Sequence, residues 1–173
     1  MAISKEQVLA VLPKILTPEI REVLQRGVES GLELYNKLDE NNRNALEEFA
    51  SNVETRDLYS SICIQLKRTI SEANCGIKVE VNHKTSSTYI EISSTNLIMH
   101  LRNETSGMPM YMKEKLPCND NFSLGKKNYI QLVYKAKNGT MIEQVSLFVM
   151  DQNGKAVYSE TINGSWDKAA LSA

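Results

Sequence analysis

The run NYIQLVYKAK-NG-TMIEQVSLFVMD-QNG-KAVYSETI, residues 128–162, decides the fold. Asn138-Gly139 and Asn153-Gly154 each punctuate β-rich segments, and Asn-Gly is the preferred filling of a tight hairpin turn because both central residues need positive φ. Two such turns between alternating segments predict a three-stranded meander. A two-residue turn at Asn138-Gly139 pairs Ala136 with Met141, Leu132 with Val145 and Ile130 with Leu147. The turn at Asn153-Gly154 pairs Val149 with Tyr158 and Val145 with Ile162. Both place their apolar residues on one face, and a one-residue slip would scatter them. The opposite face carries Gln131, Gln144, Ser146 and Ser159 mixed with Tyr129, Phe148 and Met150, a composition that suits partial cover.

Upstream the period is also two. Ile77, Val79 and Val81 alternate with polar residues after Gly76. A four-residue loop at 83–86 pairs Val79 with Ile90, and a turn at Thr95-Asn96 pairs Ile92 with Met99. These registers predict a first meander over 77–82, 87–94 and 97–103.

The first 75 residues repeat at the helical period instead. Ser4-x-x-Gln7 is a capping box. Thr17-Pro18-Glu19 starts a second helix with a cap, a proline and an acid in their favoured places. Its apolar stripe is Ile20, Val23, Leu24, Val28, Leu32, Tyr35 and Leu38. Gly27 and Gly31, one turn apart on that side, predict close contact with another helix. A third helix is expected with Ala45, Leu46, Phe49, Ala50 and Val53 inward. A fourth is expected from about Thr55 to Asn74, burying Leu58, Tyr59, Ile62, Leu66 and Ile70, with Gly76 near its C-cap.

The expected fold class is therefore α+β in one domain spanning 1–173: a helical half over 1–75, an antiparallel β half over 76–162, and a tail over 163–173 that Trp166 would anchor. About four N-terminal helices precede two three-stranded antiparallel meanders, joined in one sheet with the helices on its apolar face.

Composition narrows the function classes. The 173 residues carry 20 basic and 21 acidic side chains, a net charge of −1. That balance gives no global pull toward nucleic acid or anionic lipid. No apolar run approaches the roughly 20 residues that span a bilayer, and the N-terminal segment reads as a helix with no signal-peptide pattern. Cys63, Cys75 and Cys118 show no paired spacing, which suits a reducing compartment and a cytoplasmic location. With two histidines and scattered cysteines, neither a metal site nor a cofactor is expected. Phosphate-binding glycine loops and the nucleophile-elbow motif are missing too.

Three groups of residues carry the functional expectations. The first is the long connection over 104–126, in which Met108, Met110 and Met112 alternate with Pro109 and Tyr111. Long loops are often functional, and methionine adapts to variable surfaces. Met108, Met110, Tyr111 and Met112 are thus the partner-binding candidates, against the alternative that they form an irregular cover on the sheet. The second group is Lys113, Lys115, Lys126 and Lys127 with Tyr129, extended by Lys135, Lys137, Tyr111 and Tyr134. Basic and aromatic residues together suit single-stranded nucleic acid, although lysines also guard strand edges.

The third group is Glu91, His100 and Arg102 on the outer face of the first meander. The register sets Glu91 across from His100, where a carboxylate can orient an imidazole for acid–base work. Arg102 is suited to a phosphate or carboxylate. A solvated face with cross-strand charge pairs is the plainer reading. The sequence favours a non-enzymatic binding or regulatory protein, of the type of bacterial and phage accessory proteins, acting on another protein. A nucleic-acid binder and a small hydrolase or nuclease are the alternatives.

Overall fold

A computed structural model describes residues 2–37, 53–84, 87–137 and 141–162. The helix expected around Ala45 to Ala50, the Asn138-Gly139 turn, loop residues 85–86 and the tail with Trp166 lie outside them.

Helix α1 (Lys5–Ile15) opens on the expected capping box: the Ser4 hydroxyl accepts from the Gln7 amide at 3.2 Å, and the Ser4 amide donates to Gln7 Oε1 at 2.9 Å. Ser4→Ala should cost about 1 kcal/mol, the usual worth of such a cap, readable as a lower urea midpoint with an unchanged m-value. Helix α2 (Pro18–Lys37) starts at Thr17, whose hydroxyl takes the Ile20 amide. Helix α3 (Val53–Ala73) ends where Asn74 turns left-handed at φ 48°. Asn74, not Gly76, is thus the first residue past the helix in that conformation. Ile20, Val23, Leu24 and Val28 of α2 and Ile62, Leu66 and Ile70 of α3 are buried, as their spacing predicts.

Six strands follow: β1 (Lys78–Lys84), β2 (Ser87–Ser93), β3 (Leu97–Asn103), β4 (Asn128–Lys137), β5 (Met141–Met150) and β6 (Ala156–Thr161). They form one sheet in chain order. Helix α3 lies over β1 and β2, α2 over β5, and α1 reaches β6. The inner face presents Ile90, Ile92, Met99, Leu101, Ile130, Leu132, Val145 and Leu147 to the helices in one core. The expected single sheet with helices on its apolar face is therefore found.

The all-antiparallel expectation needs correction. β3 and β4 pair in parallel, Leu97 with Asn128 through Asn103 with Tyr134. Parallel neighbours begin at the same end, so the chain leaving Asn103 must return the length of the strand, about 20 Å at ~3.3 Å per residue. Residues 104–127 make that return across the outer face. They contain helix α4 (Met110–Lys113) and a 3-10 turn (Leu116–Asp120), so the helices are not all N-terminal.

Two registers also differ from expectation, each by two residues. Lys84 pairs with Ser87, so the β1–β2 loop is two residues long and Val79 faces Ile92 instead of Ile90. Leu132 faces Leu147 instead of Val145, with an irregularity at Lys135/Ala136 that puts Ile142 opposite Ala136. A two-residue slip leaves side chains on their own faces, so the core-face assignments of Val79, Ile90, Leu132 and Val145 survive, but past the irregularity the core place opposite Ala136 is taken by Ile142 where Met141 was expected. The pairings of Val149 with Tyr158 and Ile92 with Met99 stand as expected. At the second turn only Gly154 takes the expected positive φ and Asn153 does not, so the two-residue turn expected there is replaced by a longer one in which the Gly154 amide donates to the Asp151 carbonyl. The Asp151 carboxylate closes it by accepting from the amides of Asn153 and Lys155.

Candidate functional site

The crossover brings the outer-face residues together and covers them. Tyr89, Ile98 and Tyr129 rise from β2, β3 and β4 to meet Tyr111, Met112 and Leu116 of the crossover in a second apolar cluster. The Tyr89 and Tyr111 rings stack with centroids 3.7 Å apart and planes 3° from parallel. The outer face here is thus a second core, not the solvated surface that charge pairing alone would suggest.

His100 stands inside this cluster, fully buried. Its Nε2 is 3.1 Å from Glu91 Oε2 and its Nδ1 is 3.0 Å from the Tyr129 hydroxyl. An ionised carboxylate can only accept, which places the ring proton on Nε2. In the neutral ring Nδ1 then accepts from the Tyr129 hydroxyl. The rings of Tyr89, Tyr111 and Tyr129 meet the imidazole edge-on at 5.1–5.5 Å. Burial pushes the Tyr129 hydroxyl well above its ordinary value, and the Gln131 amide and the Arg102 charge act against that rise. Glu91 keeps partial exposure, with Lys115 Nζ 4.0 Å from its carboxylate.

The structure joins Glu91 to His100 as the register predicts, but Arg102 is held apart. Arg102 Nε donates to Gln131 Oε1 at 3.3 Å, and Nη1 donates to the Ser106 carbonyl at 3.2 Å. The guanidinium thereby ties the start of the crossover to β4. Chemically, Glu91, His100 and Tyr129 are a line that can hold or pass a proton, roofed by Tyr111 and Met112.

The partner-binding candidates divide. Tyr111 and Met112 are buried, Met108 is half-buried, and Met110 is 67% exposed. Among the lysine candidates, Lys113 and Lys127 are exposed and Lys115 is half-exposed. Lys126 is committed inward: its ammonium donates to Asp120 Oδ1, to the Asn121 carbonyl and, very closely, to the Cys118 carbonyl. That contact holds the Asp120 carboxyl below the usual carboxylate range. Lys135 pairs with Glu143 at 3.6 Å. Tyr111, Tyr129 and Tyr134 are all buried, so none of these rings offers a face to a base.

Two buried asparagines, absent from every sequence expectation, position the crossover. Asn119 inserts its amide where β4 and β5 part: Nδ2 donates to the carbonyls of Tyr129 and Met150, each at 2.8 Å, and Oδ1 accepts from the Tyr129 amide at 2.9 Å. Asn128 donates to the carbonyls of Asn96, Ser123 and Lys126 and accepts from the Ser123 amide. A single asparagine in a polar turn, or at the first position of a strand, carries no periodic signal.

Beyond the crossover the outer face stays open. Glu104, Val133, Lys135, Gln144, Ser146 and Phe148 line a small, shallow recess. Among the described residues no three histidine, cysteine or acidic side chains form a metal-ligating group, and no helix is long and apolar enough to cross a membrane. Comparison with protein-family models, with curated proteins and with solved structures finds no match to this chain.

Proposed function

We propose that this chain is a non-enzymatic binding or regulatory protein, cytoplasmic and of the accessory type, that contacts another protein through its crossover. One observation carries the reading: Met110 stands 67% exposed between residues the fold uses as anchors. Tyr111, Met112 and Leu116 fix the segment to the sheet, so Met110 is presented on a rigid mount with little ordering left to lose on binding. Of the three large apolar side chains exposed among the described residues, Met110 and Leu124 (49%) both belong to this segment, and Leu9 lies elsewhere.

The test is substitution, because deleting 106–116 would also remove Tyr111 and Met112 from the second core. Met110→Ser should weaken partner binding about 30-fold or more, the ~2 kcal/mol of an interface anchor. The urea midpoint should stay unchanged. The partner is sought from nuclease-treated lysate, and its affinity for native and variant chains is measured by calorimetry. Equal affinity for both would remove the crossover from the contact.

A second reading rests on the hydrogen-bonded line of Glu91, His100 and Tyr129: a small hydrolase or nuclease that works when the roof of Tyr111 and Met112 lifts. It requires turnover on an ester or phosphodiester panel that His100→Ala abolishes. A native chain with no turnover on the panel would end it. The nucleic-acid reading is left with Lys113, Lys115 and Lys127. It requires binding that weakens steeply with added salt.

A further inference from the structure

We infer that His100 is a proton-operated latch on the crossover: neutral, it keeps Tyr111 and Met112 closed over the sheet, and on taking a second ring proton it releases them. A line of hydrogen bonds runs beneath the crossover with a single direction. Arg102 donates to the Ser106 carbonyl and to Gln131 Oε1. Gln131 thereby turns its N–H to the Tyr129 hydroxyl oxygen. That hydroxyl donates to His100 Nδ1 at 3.0 Å, and His100 Nε2–H donates to Glu91 Oε2 at 3.1 Å. The two ends fix the direction, because Arg102 can only donate and an ionised Glu91 can only accept. Reversing any link between them sets donor against donor.

A proton added at Nδ1 has no place in that line. It meets the proton of the Tyr129 hydroxyl, which burial holds on the oxygen. Turning that hydroxyl away points it at the Gln131 amide, another donor. An unmatched donor in a buried cluster is costly, and the imidazolium adds a charge at a fully buried position. The groups facing the ring from the neighbouring elements do little to offset this. Tyr89 of β2, Tyr111 of the crossover and Tyr129 of β4 are neutral. Arg102, two residues along β3, is a like charge. Glu91 favours the imidazolium, but it is partly exposed and also faces Lys115 of the crossover at 4.0 Å. Lifting the crossover resolves the conflict, since Nδ1–H then meets water and the ring takes its proton in the ordinary histidine range, roughly pH 6.5. The closed crossover binds fewer protons than the open one, so closure is complete above that range and weakens as pH falls below it. This device concerns the mount of Met110 and stands whatever the crossover contacts.

The test uses the full chain labelled with ¹⁵N and stepped from pH 7.5 to pH 5. Ring signals report the protonation of each histidine, with the exposed His83 as internal reference. Opening of the crossover is read from hydrogen exchange of the Lys113 and Glu114 amides, which donate to the Pro109 and Met110 carbonyls, corrected for intrinsic rates. His100 should keep its Nε2–H tautomer while His83 titrates. The opening constant of the crossover should rise toward a limit of about tenfold per pH unit, one proton per opening, while the β4–β5 amides stay protected. His100→Gln can still donate to Glu91 but cannot take the proton, so its opening should not depend on pH. His83→Gln should keep the native response. If His100→Gln fails to fold, the titration of the native chain decides alone. A His100 that titrates with His83 under a closed crossover, an opening constant that does not change with pH, β4–β5 amides that open together with the crossover, or a native response kept in folded His100→Gln would each overturn the latch.

Discussion

Gly31→Ala is expected to lower the stability of this chain by about 2–3 kcal/mol, the upper part of the range for overpacking a core. Alanine ordinarily stabilises a helix interior by about 0.5–1 kcal/mol over glycine, so the expected sign is opposite to propensity. Geometry decides it. A Cβ at Gly31 would stand 2.8 Å from Ile62 Cγ1 and 2.9 Å from the Ile62 backbone nitrogen, and closer still to Ile62 Cα. Backbone cannot rotate aside, so α3 as a whole must move, and α3 lies over β1 and β2. Gly27→Ala sets up a graded comparison. Its nearest obstacle is Leu66 Cδ2 at 2.6 Å, the end of a flexible side chain, with Leu66 Cα farther off at 3.1 Å. The cost there should be about 1 kcal/mol, since a side chain can shift while propensity returns part of the loss. Urea melts of the three chains decide the matter. If Gly31→Ala matches the native midpoint, or if Gly27→Ala is the worse of the two, the close backbone approach of α2 to α3 is not what stabilises the helical layer.

That contact was legible from two glycines one turn apart, and the reason generalises to what could and could not be read. Period determines face: Ile90, Ile92, Leu132 and Val145 were assignable to the core because alternation leaves them nowhere else to go. Period does not determine partner. Moving Leu132 from Val145 to Leu147, or Val79 from Ile90 to Ile92, keeps those side chains inward, so only turn length distinguishes the alternatives. The parallel pairing of β3 with β4 was hidden for a related reason. The direction of a strand relative to its neighbour leaves no mark on its own alternation. The mark lay in the connection: a long segment with Tyr111, Met112 and Leu116 implies a surface to bury them, and Tyr89, Ile98 and Tyr129 on the outer face are that surface. Read together, those two sets would have predicted a roof over His100. The Glu91–His100 pairing was found from register alone. Tyr129 was missed as its second partner because β4 had no assigned neighbour.

Asn119→Leu should cost about 3–5 kcal/mol, the second large effect, because each buried group left unpaired carries a penalty of ~1–3 kcal/mol. The Asn119 side chain fills the place of a missing rung where β4 and β5 separate. Leucine is close to it in size but leaves the Tyr129 carbonyl, the Met150 carbonyl and the Tyr129 amide without the partners they have at 2.8, 2.8 and 2.9 Å. The damage should be local at first: the Tyr129 amide should lose its protection from hydrogen exchange before the β3–β4 amides do. It should also reach the buried histidine, since the Tyr129 backbone that Asn119 holds carries the hydroxyl bonded to His100. Asn119→Asp separates shape from hydrogen bonding. The carboxylate can still accept from the Tyr129 amide, but it faces two carbonyls with no proton to offer, and burial disfavours its charge. Its folded-state pKa is therefore raised above the unfolded value. Stability relative to the native chain is retained at low pH, where the protonated group can donate to one carbonyl, and is lost as pH rises through the folded pKa. Urea midpoints of Asn119→Asp and the native chain, compared at pH 4 and pH 7, should show the larger deficit at pH 7. A deficit that is the same at both pH values would mean that the two carbonyls do not depend on a proton from residue 119, and that the crossover is held by its apolar contacts alone.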